Sequence, residues 1–209
     1  MIPEDVVAAF LGLSLAVVLV RAVYESRKSH WGKKEAARGE VESTANEPLL
    51  ILSAVFVIIF YLEMASYVIL IVAGLQHVLV GSYVQLQFPF DSSVQAFGIA
   101  MMVFGYIIVF LGLRALEYDK LAMSGPYRYV RHPQYVGYFI VFAGFFLLLL
   151  NLIALAPLLS IPGQVRMATV EEEFLTKKFG DSYVKYQKAT GKFFPKIARV
   201  QKTGFNVED

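Results

Sequence analysis

Apolar residues run along this chain in five long stretches, near residues 6–23, 49–73, 94–113, 135–150 and 152–165. A helix needs roughly 20 such residues to cross a bilayer, so the pattern predicts a bundle of five transmembrane helices. The last two meet at Asn151 as a tight hairpin, and Pro157 and Pro162 are expected to bend its second arm, which neighbouring helices allow in a membrane. Residues 74–93, GLQHVLVGSYVQLQFPFDSS, either extend the second span or lie at the interface with Tyr83, Phe88 and Phe90 as aromatic anchors. Beyond residue 165 the pattern changes. EEEFLTKKFGDSYVKYQKA sets Phe174, Leu175, Phe179, Tyr183 and Tyr186 at helical spacing, with Gly180 as a helix end and Asp181 or Ser182 opening the next turn. TGKFFP follows as a loop whose two phenylalanines can dip back toward the membrane or cover a pocket, and the last dozen residues read as a polar tail.

Composition agrees with a membrane class: 57% of the 209 residues are hydrophobic and 17% charged, with mean hydropathy +0.57. The N-terminal run lacks a basic flank and a small-residue cleavage site, and reads as a retained first span rather than a signal peptide. Charge then sets the expected orientation. With five spans and the N-terminus outside, the inside segments 21–48, 114–134 and 166–209 hold all 19 Lys and Arg residues, as the positive-inside rule requires. Splitting residues 49–90 into two spans would put Arg114, Lys120, Arg128 and Arg131 on the wrong side. A net charge of +2 gives no reason to expect nucleic acid. Without cysteine, and with His30, His77 and His132 far apart, no metal site is expected.

Two segments carry the candidate chemistry. In SGPYRYVRHPQYVGY, residues 124–138, Ser124, Gly125 and Pro126 are turn residues. His132 precedes a proline and is pushed out of helical geometry, so a helix should start at Pro133. Its unpaired N–H groups would then face the mouth of the bundle, where they suit an anion. The same composition also fits an interfacial belt of Arg and Tyr around the fourth span. In QVRMATVEEEFL, residues 164–175, Arg166 shares a helical face with Glu173, while Glu171 and Glu172 point elsewhere. Those carboxylates opposite a helix N-terminus could bracket a zwitterion, or simply form a solvated acidic turn. Glu63, in the middle of the second span, costs about 2.5–3.5 kcal/mol if charged, so it should be protonated, paired or functional. The chain has no GxGxxG after a strand, no P-loop, no HExxH and no GxSxG, so Rossmann, P-loop, zincin and serine-hydrolase readings lack their motifs.

Together the two segments resemble the isoprenylcysteine carboxyl methyltransferase family of integral membrane methyltransferases, prokaryotic members included. The resemblance rests on RHPxYxG at Arg131, His132, Pro133, Tyr135 and Gly137, and on EExxLxxxFGxxYxxY at Glu171, Glu172, Leu175, Phe179, Gly180, Tyr183 and Tyr186. It covers residues 119–196. It implies an all-α membrane protein with a small helical cytoplasmic cap that forms a non-Rossmann pocket for S-adenosylmethionine, and a lipophilic acceptor entering from the bilayer. The cofactor would be held by Asp119, Lys120, Leu121, Ala122, Tyr127, His132, Pro133, Gln134 and Tyr135. Arg166 and a glutamate of the triplet would lie near the reacting groups; counting back from Phe179 and Gly180 favours Glu172 over Glu171.

The expected organisation is residues 1–113 as the first three spans, 114–196 as the methyltransferase core and 197–209 as the tail. The expected location is the cytoplasmic or endoplasmic reticulum membrane with the site on the cytoplasmic face. An isoprenylcysteine carboxylate is the first expectation for the acceptor. The related family also includes phospholipid N-methyltransferases of the phosphatidylethanolamine type. Sterol-reductase-like proteins, which use a nicotinamide cofactor, share part of the C-terminal pattern, and a non-catalytic lipid-binding protein is a further alternative.

Overall fold

The computed structural model describes residues 1–29, 47–75, 91–116 and 120–196. Among these the secondary structure is helical: α1 (Glu4–Ser29), α2 (Pro48–Val72), α3 (Asp91–Arg114), a short 3-10 turn (Gly125–Arg128), α4 (Pro133–Leu149), a 3-10 segment (Ile153–Ser160), α5 (Ile161–Phe179) and α6 (Asp181–Ala189). An isolated parallel β-bridge joins Val130 and Gly191. Three stretches are long and apolar enough to cross a membrane: Pro48–Val72, Asp91–Arg114 and Ile153–Phe179. The helix Pro133–Leu149 is apolar but shorter. The protein is therefore a helical integral membrane protein. His30, His77, Tyr83, Phe88, Phe90 and Asp119 lie outside the described residues.

Glycine spacing explains the tightest contact, between antiparallel α3 and α4. A Cβ at Gly105 would lie 2.6 Å from the Gly137 carbonyl oxygen, and one at Gly98 would lie 2.6 Å from that of Gly144. Each pair is separated from the other by seven residues on both helices, so the two backbones touch at points about two turns apart along one seam. Around this seam α1, α2, α3 and the hairpin contribute a core of Val7, Leu11, Phe60, Met64, Met102, Phe142, Phe145 and Leu148. Phe60 meets Phe142 and Phe145 edge-on, with ring centroids 5.1 and 4.8 Å apart.

Hydrogen bonds sort the helix ends into two groups. At one end the Ile2 backbone N–H donates to Gln95 Oε1 at 2.7 Å, and Gln95 Nε2 donates to the Leu148 carbonyl at 3.0 Å. At the other end Glu47, just before α2, is bound by Arg166 of α5. The start of α2, the start of α4 and the cap around α6 therefore belong together, and the N-terminus belongs with the start of α3 and the hairpin tip.

The hairpin departs from the expectation of a bent helical second arm. Leu150 caps α4 in a left-handed conformation (φ 51°), and Asn151 Oδ1 accepts the Ala154 N–H at 2.8 Å. The arm then begins as a 3-10 segment containing Pro157 and becomes α-helical at Ile161, with Pro162 in the first turn. Pro162 sits in a first turn, where a missing N–H costs little, and Pro157 lies within the 3-10 segment, so neither bends a continuous α-helix. The arm also does not stop at residue 165: α5 continues unbroken through the acidic triplet to Phe179. Gly180, at φ 53°, separates it from α6, as its position in FGDS predicts. Ser53 Oγ donates to the Ser160 carbonyl at 2.8 Å, and a Cβ at Gly163 would collide with Ser53, so α5 enters tight against α2. Glu63 is buried, and among the described residues its carboxylate oxygens make no hydrogen bond of ordinary geometry. The Asn151 side chain at the hairpin turn is the polar group beside it.

Candidate active site

Where the bundle meets the cap, a cavity of about 560 Å³ opens between the loop before α4, the first turns of α4, one face of α5 and α6. That volume falls in the range of small-molecule sites. Its wall includes Lys120, Leu121, Ala122, Tyr127, His132, Gln134 and Tyr135, all expected as cofactor-binding residues. Pro133 is buried at the start of α4 behind that wall. Glu171 lines the cavity; Glu172 and Arg166 do not.

Helix geometry explains the division among the three glutamates. Gln164, Glu171 and Leu175 recur at intervals of seven and four, which puts them on one stripe of α5 facing the cavity. Glu171 accepts a 2.6 Å hydrogen bond from the Tyr135 hydroxyl, which aims its carboxylate at the wall. Glu172 turns toward the cap. It accepts from Arg131 Nε at 2.7 Å and from His132 Nε2 at 3.1 Å, with Lys192 Nζ 3.6 Å away. Glu173 lies 3.8 Å from Arg166 Nη1. Arg166 itself forms a two-pronged pair with Glu47, at 2.9 and 2.7 Å, and this pair holds the Glu47 carboxyl below its ordinary value.

The expectation that the arginines of this loop face lipid headgroups is corrected for Arg131. Its side chain is 11% exposed, and its Nη1 donates to the carbonyls of Gln187 and Thr190 at the end of α6. The backbone explains why. The Arg131 and His132 N–H groups donate to the Gly191 and Lys192 carbonyls at 2.8 and 3.2 Å, so the chain returning from α6 lies alongside the residues that lead into α4. Arg131 fastens that return to α5 through Glu172. Arg128, by contrast, is exposed.

His132 sits between two carboxylates, with Nδ1 3.5 Å from Glu171 and Nε2 3.1 Å from Glu172. Burial pushes its pKa down, but hydrogen bonds and charge from Glu171 and Glu172 outweigh burial and raise it. An imidazolium can donate to both partners at once. At the start of α4 the His132 ring is thus held between Glu171 and Glu172.

Five phenols stand on the wall: Tyr127, Tyr135, Tyr138, Tyr183 and Tyr186. Gln134 Nε2 donates to the Tyr127 hydroxyl at 3.2 Å, and the Tyr186 hydroxyl donates to the Tyr127 carbonyl at 2.7 Å. Burial pushes Tyr127 up to about 12, so it remains a neutral phenol. Tyr183 is almost fully buried, and its hydroxyl makes no hydrogen bond of ordinary geometry among the described residues. An unsatisfied buried hydroxyl on a cavity wall is available to a ligand. Leu116, Arg131, Tyr138, Gln164, Leu175, Tyr183 and Tyr186 also line the cavity without having been assigned to it from sequence. For Gln164 the signal was its seven-residue spacing from Glu171, and for Tyr138 its spacing of four and three from Gln134 and Tyr135.

The helical bundle and its capped cavity coincide with a methyltransferase-type sequence. Residues 93–182 match the family model of phospholipid methyltransferases. A segment of 79 residues, 37% of this chain, is 40% identical to the protein-S-isoprenylcysteine O-methyltransferase of Schizosaccharomyces pombe. It spans about a third (34%) of the length of that relative. Over this region the resemblance carried by the two motifs is borne out: the matched segments are similar to phospholipid methyltransferases and to an isoprenylcysteine O-methyltransferase. The matched segment begins at residue 93 and so takes in most of α3 as well as the cavity wall from Leu116 to Leu175.

Proposed function

We propose that this protein transfers a methyl group from S-adenosylmethionine to a lipophilic acceptor at the cytoplasmic membrane face. The acceptor most in keeping with the 40% identical relative is the carboxylate of an isoprenylcysteine-like substrate. The observation that carries the reading is that residues of both motifs, from His132 to Tyr138 and from Glu171 to Tyr186, wall one cavity. The wall suits the cofactor, which carries an ammonium, a carboxylate and a sulfonium. Glu171 offers a carboxylate to either cation, phenol faces suit a sulfonium or an adenine, Lys120 offers a cation to the carboxylate, and the Tyr183 hydroxyl is available as a polar partner. When bound, S-adenosylmethionine supplies a methyl group on an electron-poor sulfur.

What the chain itself supplies is mainly position, which can contribute roughly 7–11 kcal/mol to such a reaction at best. Tyr135 holds the Glu171 carboxylate on the wall. Arg131 and His132 both bond Glu172, which fastens the roof to α5. Arg166 is a positioning residue in this reading, because its fork engages Glu47 on the α2 side of the helix. A carboxylate acceptor is ionised at neutral pH and needs only orientation; an amine acceptor needs a base, and Glu171 is the carboxylate on the wall for that role. In this reading the membrane is crossed five times, by α1 to α4 and the arm leading to Arg166. The N-terminus is outside and the cap cytoplasmic, since that arrangement places every Lys and Arg inside.

The test is methyl transfer by purified full-length protein to a prenylcysteine analogue, scored as base-labile methyl ester, beside transfer to phosphatidylethanolamine. Ester formation is expected. The match to the phospholipid methyltransferase model favours the amine as a second reading, and methylated lipid without ester would support it. Binding of a nicotinamide nucleotide but not of S-adenosylhomocysteine would overturn both.

A further inference from the structure

The turn that follows α6 presents an aromatic ring outward. Phe194 is 83% exposed, although Gly191, Lys192, Phe193 and Lys196 around it are anchored. A Cβ at Gly191 would collide with the Phe194 carbonyl oxygen, so the turn closes on itself only with glycine there. Gly191 is bridged to Val130. Lys192 Nζ donates to Thr169 Oγ1 at 2.8 Å, and Lys196 Nζ donates to the Gln187 and Lys188 carbonyls, each at 2.8 Å. Phe193 packs against His132 and Phe139, with ring centroids 5.8 and 5.6 Å apart. The turn is thus pinned on both sides, and the direction of Phe194 is fixed by its frame.

That frame also fixes its depth. The 190s pair in parallel with residues 130–132, which lead straight into α4, so the paired chain heads toward the bilayer. Phe139 lies six residues beyond Pro133, about 9 Å along the helix, on a stretch that is apolar from Val136. Phe193 reaches that level, and Phe194 is its neighbour. We propose that Phe194 is a bilayer anchor: its ring enters the headgroup–acyl boundary of the leaflet that α4 enters at Pro133, and ties the roof of the cavity to the membrane. The ring is exposed, and an aromatic side chain suits that boundary.

The proposal rests on the bundle spanning a membrane and not on the reaction, and its test does not use activity. The chain's one tryptophan is Trp31. In a Trp31→Phe background, Phe194→Trp and, separately, Phe104→Trp are placed in phosphatidylcholine vesicles whose acyl chains carry bromine at shallow or deep positions. Phe104 is an exposed residue in the middle of α3. Tryptophan at 194 is expected to emit at shorter wavelength than in water and to lose most of its emission to shallow bromines. Tryptophan at 104 should be quenched by deep bromines. Water-like, unquenched emission at 194 beside quenching at 104 overturns the anchor and leaves the spans standing; no quenching at either position overturns the membrane reading as well.

Discussion

Along α5, the face that carries Gln164, Glu171 and Leu175 looks into the cavity, whereas the face that carries Gly163, Arg166 and Glu173 lies toward α2. Between them Glu172 points to the cap and closes on Arg131 and His132. Three adjacent residues of one chemical type thus have three environments, because successive positions on a helix are turned by about 100°. On the cavity face a carboxylate is partly exposed and aimed by a phenol. On the α2 face charge is spent on holding helices, and the fork of Arg166 is already taken. The comparison separates residues that can meet a ligand from those that hold the wall in place.

The largest effect should come from breaking the clasp between these faces. Arg131→Ala leaves Glu172, 13% exposed, without its 2.7 Å partner, and removing one member of a buried pair costs about 3–5 kcal/mol. Thermal unfolding in detergent should show a large fall in Tm, with S-adenosylhomocysteine binding lost alongside it; an unchanged Tm would remove the clasp from the account. Next is the α2 face. Gly163→Val forces a side chain into Ser53 and the Leu49 carbonyl, an overpacking of about 1–3 kcal/mol. Tm should drop, while the folded fraction keeps its affinity for S-adenosylhomocysteine.

The cavity face should respond in the opposite way. Glu171→Gln on a partly exposed side chain is expected to leave Tm nearly unchanged and to weaken S-adenosylhomocysteine binding about tenfold, or 1.4 kcal/mol. Glu173→Gln, two residues on, should leave calorimetric affinity as it is. Equal losses from both would show that the faces are not distinct.

The smallest effect is that of pH. Against the pull of burial, Glu171 and Glu172 raise the His132 pKa above the ordinary histidine value of 6.5. Its stabilisation is complete below the unfolded value and is lost as pH rises through the higher folded value. Tm should therefore decline on the alkaline side of about 6.5, and His132→Gln should flatten that part of the profile.

Much of this arrangement was legible in the chain. Long apolar runs marked the helices, Pro133 marked the start of α4, and Gly180 marked the break between α5 and α6, because each is a local rule of burial or backbone geometry. The cavity wall from Lys120 to Tyr135 followed from the motif resemblance. The 3-10 start of the hairpin arm was not legible, since Ile153–Ser160 is apolar in either helix type. Nor was the partner of Glu172. Arg131 reaches it only because residues 130–132 pair with a segment some sixty positions later, a contact that no helical periodicity encodes. For the same reason Arg166, adjacent to the acidic triplet in sequence, turned out to serve Glu47, far back in the chain.

The central claim is that the cavity between α4, α5 and α6 holds the methyl donor. Ala122 lines it from a loop before α4, so Ala122→Trp should fill it without disturbing the bundle. Calorimetric titration of detergent-solubilised full-length protein with S-adenosylhomocysteine should give saturable one-site binding in the wild type and none in Ala122→Trp at unchanged Tm. No binding in the wild type, or the same binding in the variant, would contradict the account.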